Sequence, residues 1–124
     1  MKIPDGHQAV MPYLMLRPAA AFTAFVKTVF NATQSFSRMR EDGTTLMHGE
    51  VQVNGSTIMY CDVSGDWKEA NAHLFVYVDN ADEVFARAIG AGASVVMELR
   101  DESYGRTCGV KDPVGNTWWI TSVG

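Results

Sequence analysis

The hydrophobic pattern predicts the same order of elements in both halves of the chain. The runs 13–16 and 73–78 are apolar, aromatic and branched, a composition typical of strands. Apolar residues then recur at three- and four-residue steps, which predicts one amphipathic helix in each half. These residues are Ala21, Phe22, Phe25, Val29 and Phe30 in the first half and Ala81, Val84, Phe85, Ala88 and Ile89 in the second. Pro18 suits the start of the first helix, and Asn80 is the predicted N-cap of the second.

Three strand patterns follow each helix. In the first half they cover about 33–40, 46–54 and 56–63, and Asn54-Gly55 between the last two is a strong hairpin signal. In the second half they cover about 93–100, 106–111 and 117–123, with 112–116 as the last turn. Residues 64–72 have the composition of a linker. The sequence therefore predicts one α+β domain over 1–124, built from two tandem βαβββ modules at about 9–63 and 72–124.

The two modules also match in sequence at a gapless spacing of 60 residues. A spacing of this kind indicates a supersecondary unit used twice. It makes Tyr13 equivalent to His73 and Met59 equivalent to Trp119, so these pairs are expected at corresponding places in the two modules. Identities at this spacing include Leu14/Leu74, Phe25/Phe85, Gly49/Gly109 and Gly55/Gly115.

Composition narrows the classes of partner. The chain is 47% hydrophobic and 19% charged, which is typical of a globular domain, and its formal net charge is -4. No basic block offsets that charge and no apolar run reaches bilayer length, so neither a nucleic acid nor a membrane is an expected partner. Cys61 and Cys108 cannot form a disulfide framework, and we interpret both as reduced thiols of a cytoplasmic protein.

Several motifs in order resemble those of the vicinal oxygen chelate superfamily of glyoxalase I, bleomycin-resistance proteins and extradiol dioxygenases. They are the Asp112-Pro113-x-Gly115-Asn116 turn before Trp118-Trp119-Ile120, and the segments 47–51, 72–78 and 109–113, the latter three being most similar to the PhnB-like branch. The resemblance implies two modules whose mixed sheets curl around a shared cleft, commonly in a homodimer. It does not imply one reaction, because this fold hosts several chemistries and also binding without chemistry.

Metalloenzymes of this superfamily place one metal ligand on the first strand and one on the last strand of each module. The resemblance puts these positions at Tyr13, Met59, His73 and Trp119. Only His73 is a usual ligand for Zn²⁺, Ni²⁺, Mn²⁺ or Fe²⁺. We therefore predict that the metal site of the family has been lost and that no cofactor is required, with a divalent metal as the alternative.

Two other groups of residues leave alternatives open. His48 and Glu50 are two residues apart and share a strand face, where they form a solvated pair, a polar pair in a pocket, or with His73 the ligands of the alternative metal. His73 and Glu50 are the candidate catalytic residues, because the unperturbed pKa of a histidine lies near neutrality and a carboxylate can act as a base near a substrate. The competing interpretation of His73 is a structural, hydrogen-bonded side chain. His7 has no evident role.

Strand alternation predicts a largely apolar pocket with a few polar groups. Tyr104 and Arg106, on the loop 101–106 between two strands, are expected beside the pocket, although Arg106 paired with Asp101 or Glu102 is an equally good interpretation. The predicted ligand-binding residues are Tyr13, Met15, Met59, His73, Phe75, Tyr104, Arg106 and Trp119.

Three functions remain open. The leading prediction is a homodimeric, metal-independent protein that binds a small aromatic or amphipathic molecule. The first alternative is a metal-dependent lyase, isomerase or dioxygenase of the same superfamily. The second is a structural or interaction protein without a ligand. The sequence alone does not identify the ligand.

Overall fold

The computed structural model describes all residues from 1 to 124 and confirms the predicted α+β class with two βαβββ modules. The chain divides into an N-terminal unit, Met1–Asn71, and a C-terminal unit, Ala72–Gly124. The elements are β1 (Tyr13–Leu16), α1 (Ala19–Phe30), β2 (Thr33–Met39), β3 (Leu46–Val53), β4 (Ser56–Asp62), β5 (His73–Tyr77), α2 (Ala81–Gly90), β6 (Ser94–Glu102), β7 (Gly105–Lys111) and β8 (Thr117–Ser122).

In the N-terminal unit, a four-stranded mixed sheet has the order β1-β4-β3-β2. β1 is parallel to β4 because helix α1 connects it to the rest of the sheet, whereas the other neighbours are antiparallel. Helix α1 packs on one face of this sheet. Strand alternation then separates buried side chains such as Val51 and Val53 from His48, Glu50 and Gln52 on the opposite face. We call that opposite face, in either unit, the distal face.

The C-terminal unit repeats this plan with the order β5-β8-β7-β6 and helix α2 on one face. Its core includes Val84 of the helix together with Val76, Cys108 and Ile120 of the sheet. Asn80 is the N-cap as predicted, because its Oδ1 accepts a hydrogen bond from the backbone N–H of Glu83 at 3.2 Å.

Helix α1 uses a cap that the sequence pattern does not reveal. Pro18 precedes the helix and makes no side-chain cap. Instead Asp62, at the end of β4, accepts a hydrogen bond from the N–H of Ala19 at 2.7 Å with one carboxylate oxygen. Its second oxygen accepts from the N–H of Leu46 at 2.6 Å, so one side chain joins the helix start to the start of β3.

The strand register corrects the gapless repeat. Tyr13 lies opposite Met59 in the N-terminal unit, but His73 lies opposite Thr117, and the partner of Trp119 is Phe75. The C-terminal unit is therefore two residues shorter between its first and last strands. If Tyr13 is equivalent to His73, then Met59 corresponds to Thr117 and not to Trp119. The inference drawn from the spacing of 60 is therefore wrong for one of the two pairs.

The segment 101–106 is also tighter than the predicted loop. β6 extends to Glu102 and β7 begins at Gly105, so only Ser103 and Tyr104 lie between the strands. Gly105 has a φ of 143° and lies against the backbone oxygen of Ser122, which leaves no room for a side chain at this position. Tyr104 is thus at the tip of a hairpin.

Neither helix of the chain has the length and apolar character needed to cross a bilayer.

Candidate functional site

The chemically richest part of the N-terminal unit is the centre of its distal face. Tyr13 and Met59 are neighbours on β1 and β4, and Glu50 is the partner of Met59 on β3. His48 follows two residues earlier on the same strand, and Phe36 lies opposite Glu50 on β2. Directly opposed residues in a sheet share a face, so these five side chains converge.

The Glu50 carboxylate receives hydrogen bonds from two histidines. His7 Nε2 lies 2.7 Å from Oε1, and His48 Nε2 lies 2.8 Å from Oε2. Burial acts to raise the pKa of Glu50, but the hydrogen bonds and charges of the two histidines outweigh it and hold that pKa below its usual value. An ionised carboxylate can only accept, so both Nε2 atoms must carry the hydrogen. Glu50 therefore fixes the tautomer and orientation of His48.

Tyr13 completes a chain of hydrogen bonds that begins at Glu50. Its hydroxyl lies 3.0 Å from Nδ1 of His48. When Nε2 of a neutral His48 donates to Glu50, Nδ1 has a lone pair and accepts the Tyr13 O–H. Burial, with the charges of Cys61 and Glu50, raises the pKa of Tyr13 against the opposing effect of Arg40, so the hydroxyl keeps its proton. The order of groups is carboxylate, imidazole, phenol.

Aromatic rings surround this chain. Trp67, from the segment after β4, stacks on Tyr13 with ring centroids 6.0 Å apart and an interplanar angle of 15°. Phe36 contacts the His48 ring from the other side at 5.7 Å. Trp67 is 50% exposed, Phe36 46% and Tyr13 37%, although large aromatic side chains are usually buried. We call Tyr13, Phe36, His48, Glu50 and Trp67 the aromatic–carboxylate cluster.

The N-terminal segment is tied to the same face, which explains how His7 reaches Glu50. Thr57 on β4 donates its hydroxyl to the carbonyl oxygen of Gly6. Gln8 donates to the Thr57 carbonyl at 2.8 Å and accepts from its N–H at 3.3 Å. His7 lies between these two anchors. No role for His7 follows from the sequence, because a partner 43 residues away leaves no local signal.

The distal face of the C-terminal unit carries a second aromatic group. Trp119 Nε1 donates a hydrogen bond to His73 Nδ1 at 3.2 Å, and the two rings stack. Because side chains alternate along β5, Phe75 lies on the same face as His73. Its ring centroid is 5.1 Å from that of Tyr77 and 6.4 Å from that of Tyr104. His73 thus has a structural partner, and no carboxylate approaches it among the hydrogen bonds of this unit.

The predicted ligand-binding residues fall into three places. Tyr13, Met15 and Met59 lie on the distal face of the N-terminal unit, and His73, Phe75, Tyr104 and Trp119 belong to the aromatic group of the C-terminal unit. Arg106 joins neither group. Its guanidinium donates two hydrogen bonds of 3.0 and 3.2 Å to Asp82 of α2 and lies 3.5 Å from Asp101 of β6. Arg106 therefore links the helix to the sheet.

The residues at the family's metal-ligand positions do not fit a divalent ion. Tyr13 and Met59 supply no strong donor, Trp119 supplies none, and the Nδ1 of His73 already accepts a hydrogen bond from Trp119. Glu50 has both oxygens bonded to histidines. No set of three or more His, Cys, Asp or Glu side chains in the chain is arranged to hold a metal.

The paired βαβββ units and the motifs in them define a class of protein, and comparison with known proteins agrees. The family model of the Glyoxalase/Bleomycin resistance protein/Dioxygenase superfamily matches residues 13–120. The chain belongs to this superfamily. It is 32% identical over 124 residues to protein Mb0911c of Mycobacterium bovis, covering 89% of this chain and 80% of the relative. It is equally similar to Rv0887c of Mycobacterium tuberculosis, of which it covers 71%.

Solved structures of low sequence identity share the fold. TioX from Micromonospora sp. ML1 superposes with a TM-score of 0.72 at 22% identity, covering 94% of this chain and 97% of that one. The fosfomycin resistance protein FosX from Listeria monocytogenes gives 0.73 at 16% identity, covering 92% and 91%. A PhnB protein from Bacillus cereus gives 0.70 at 17% identity, covering 94% and 100%. A PhnB protein is thus among the structures that share this fold, and a homodimer stays a prediction.

Proposed function

We propose that this protein binds a small planar aromatic molecule without the help of a metal ion, and that the aromatic–carboxylate cluster of the N-terminal unit is the binding surface. The observation that carries the proposal is the stack of half-exposed Trp67 on Tyr13, directly beside the hydrogen-bonded His48 and Glu50. A flat apolar surface with a polar group at one end is the usual arrangement for holding and orienting an aromatic ligand.

The chemistry of the donors favours binding without a metal. The Glu50 carboxylate is already hydrogen-bonded to His48 within the cluster and to His7 beside it, so a metal would have to displace these bonds. An aromatic ligand would leave them in place and stack on Trp67 or Phe36. The superfamily also includes bleomycin-resistance proteins, which bind a ligand without converting it.

The proposal is tested by thermal unfolding with 4-nitroanisole, 4-nitrophenol and 2-naphthol, in the presence and absence of EDTA. A ligand at ten times its Kd stabilises the native state by about 1.4 kcal/mol. For a chain of this size that raises the Tm by roughly 4–8 °C. We expect such a rise with at least one compound, unchanged by EDTA. No rise with any of them, or a rise that EDTA abolishes, would refute metal-independent binding.

Two variants locate the site. Trp67→Ala removes the stacking ring in the N-terminal unit and is therefore expected to abolish the rise in Tm. The variant should still fold, because Trp67 is half-exposed and lies outside the core. Phe75→Ala is the matched control in the C-terminal unit, since Phe75 is similarly exposed at 51%. Loss of binding with Phe75→Ala but not with Trp67→Ala would move the site to the second aromatic group and contradict the placement proposed here.

A further inference from the structure

The chain of hydrogen bonds from Glu50 through His48 to Tyr13 does more than orient a ligand. We infer that it takes up the proton of a bound hydroxyl compound, so that the aromatic–carboxylate cluster selects planar phenols and enols and holds them as anions. This inference rests on the proposed function and gives the ligand a chemical class.

The direction of the chain determines which end meets the ligand. Glu50 accepts from His48 Nε2 at 2.8 Å, which leaves the lone pair of Nδ1 facing the Tyr13 hydroxyl at 3.0 Å. Tyr13 is 37% exposed, whereas the Glu50 side chain is only 12% exposed. Tyr13 is therefore the member of the chain most open to a ligand, and its hydroxyl hydrogen already points to a base.

The transfer balances without another reactant. The ligand O–H bond breaks and its proton binds the Tyr13 oxygen, while the proton of Tyr13 moves to Nδ1 of His48. One O–H bond is lost on the ligand and one N–H bond is gained on the imidazole, and Tyr13 ends unchanged. The ligand becomes an anion that accepts a hydrogen bond from Tyr13, and the imidazolium lies against the Glu50 carboxylate.

The charges around the chain act on this separation in both directions. His7 shares Glu50 from the N-terminal segment, and Arg38 lies opposite His48 on β2, where its cation favours an anionic ligand. Arg40 acts in the same direction at Tyr13, whereas Cys61 and Glu50 act against a negative charge there.

The shape of the site restricts the ligand to a flat one. The Trp67 ring is nearly parallel to that of Tyr13, and Phe36 packs against His48, so both residues that carry the proton have an aromatic neighbour. A planar ring that carries the acidic hydroxyl can stack on these rings and place its oxygen at Tyr13. A saturated alcohol has neither the flat surface nor an acidic enough hydroxyl.

The test compares 4-nitrophenol, whose anion absorbs visible light, with 4-nitroanisole, which has the same ring and no proton. It is done at the midpoint at which free 4-nitrophenol ionises, where half of the free compound is neutral and an ordinary imidazole, with a pKa of about 6.5, is mostly unprotonated. We expect the bound nitrophenol to show the spectrum of the anion. We also expect it to bind about tenfold more tightly than nitroanisole, the ratio that one charge-assisted hydrogen bond supplies.

Variants separate proton transfer from simple positioning. Tyr13→Phe and His48→Asn are expected to abolish the anion spectrum and to reduce the preference over nitroanisole to twofold or less, with nitroanisole still bound. Tyr77→Phe, in the C-terminal unit, removes a comparable hydroxyl and should change neither. Tyr13→Phe alters a single oxygen atom and so keeps the test valid if His48→Asn does not fold.

Each other outcome contradicts the inference in a distinct way. If both compounds bind equally and nitrophenol stays neutral, proton uptake is wrong while aromatic binding stands. If the anion spectrum survives Tyr13→Phe and His48→Asn but is lost in Arg38→Ala, the arginine alone holds the anion and the chain is not a relay. If 4-nitrophenol and 4-nitroanisole do not bind but 2-naphthol does, this inference fails while the proposed function stands. If none of the three compounds binds, both fail.

Discussion

Asp112, in the turn of the Asp-Pro-x-Gly-Asn motif, is expected to be a main determinant of the stability of the C-terminal unit. It is only 4% exposed, and its two oxygens accept four hydrogen bonds. One oxygen accepts from the backbone N–H groups of Val114 and Asn116 at 3.0 and 2.9 Å. The other accepts from the Asn116 side-chain amide at 3.0 Å and from Trp118 Nε1 at 2.8 Å.

Removing the carboxylate leaves all four donors without this acceptor in a buried turn. A hydrogen bond to a charged group contributes about 1.5–3 kcal/mol, and bonds to one side chain do not add fully, so we expect Asp112→Ala to cost about 3–5 kcal/mol. That is a large fraction of the roughly 5–15 kcal/mol that stabilises a typical domain. Asp112→Asn keeps the shape but turns an amide N–H₂ toward two donors, so we expect it to cost about 2–3 kcal/mol.

Urea unfolding followed by circular dichroism measures both costs. Asp66→Ala is the control, because Asp66 is exposed and accepts no hydrogen bond of this kind, and it should change the free energy of unfolding by less than about 0.5 kcal/mol. The reasoning would be refuted by an Asp112→Ala protein that loses less than about 1 kcal/mol, or by an Asn variant as stable as the parent.

Two further predictions concern single ionisable groups. The pKa of Glu50 in the folded state lies below its ordinary value of 4.5, so ionised Glu50 stabilises the fold above that value and the contribution is lost as the pH falls through the folded pKa. When stability is measured against pH, Glu50→Gln should therefore lose less stability than the parent below about pH 4.5. Parallel curves would contradict the pairing of Glu50 with His7 and His48. Burial raises the pKa of Cys108 to about 11, so its thiol should resist iodoacetamide at pH 8 in the folded protein and react after unfolding. Mass spectrometry locates the label, and rapid labelling of Cys108 in the native state would show that the core of this unit opens.

The elements of this fold could be predicted because their signals are local. Alternation along β3 correctly places His48 and Glu50 on one face, away from helix α1, since a strand turns its side chains with a period of two. The Asn54-Gly55 turn and the Asn80 cap are equally local, and both are found as predicted. The interpretation of His48 and Glu50 as a hydrogen-bonded polar pair also agrees with their distance of 2.8 Å.

The partners of these residues could not be predicted because they depend on tertiary structure. His7 reaches Glu50 only because Thr57 and Gln8 fix the N-terminal segment across the sheet. Trp67 lies in a segment that has the composition of a linker, yet it stacks on Tyr13. Neither contact has a period or a motif. The stacked tryptophan of the proposed binding surface and the second histidine at Glu50 therefore follow from tertiary contacts rather than from sequence pattern.

The strand register gives the strongest reason to consider the two units separately when function is assigned. A gapless match suggests that Tyr13 and His73 hold corresponding positions, but their partners on the last strand are Met59 and Thr117, two residues out of step. The two units have also diverged in chemistry: His73 is bonded to an indole, whereas His48 is bonded to a carboxylate and a phenol. An imidazole held by a carboxylate can accept a proton and keep it, and one held by an indole N–H has no group to stabilise the resulting charge. If this protein carries out any proton chemistry, the arrangement of these partners assigns it to the N-terminal unit.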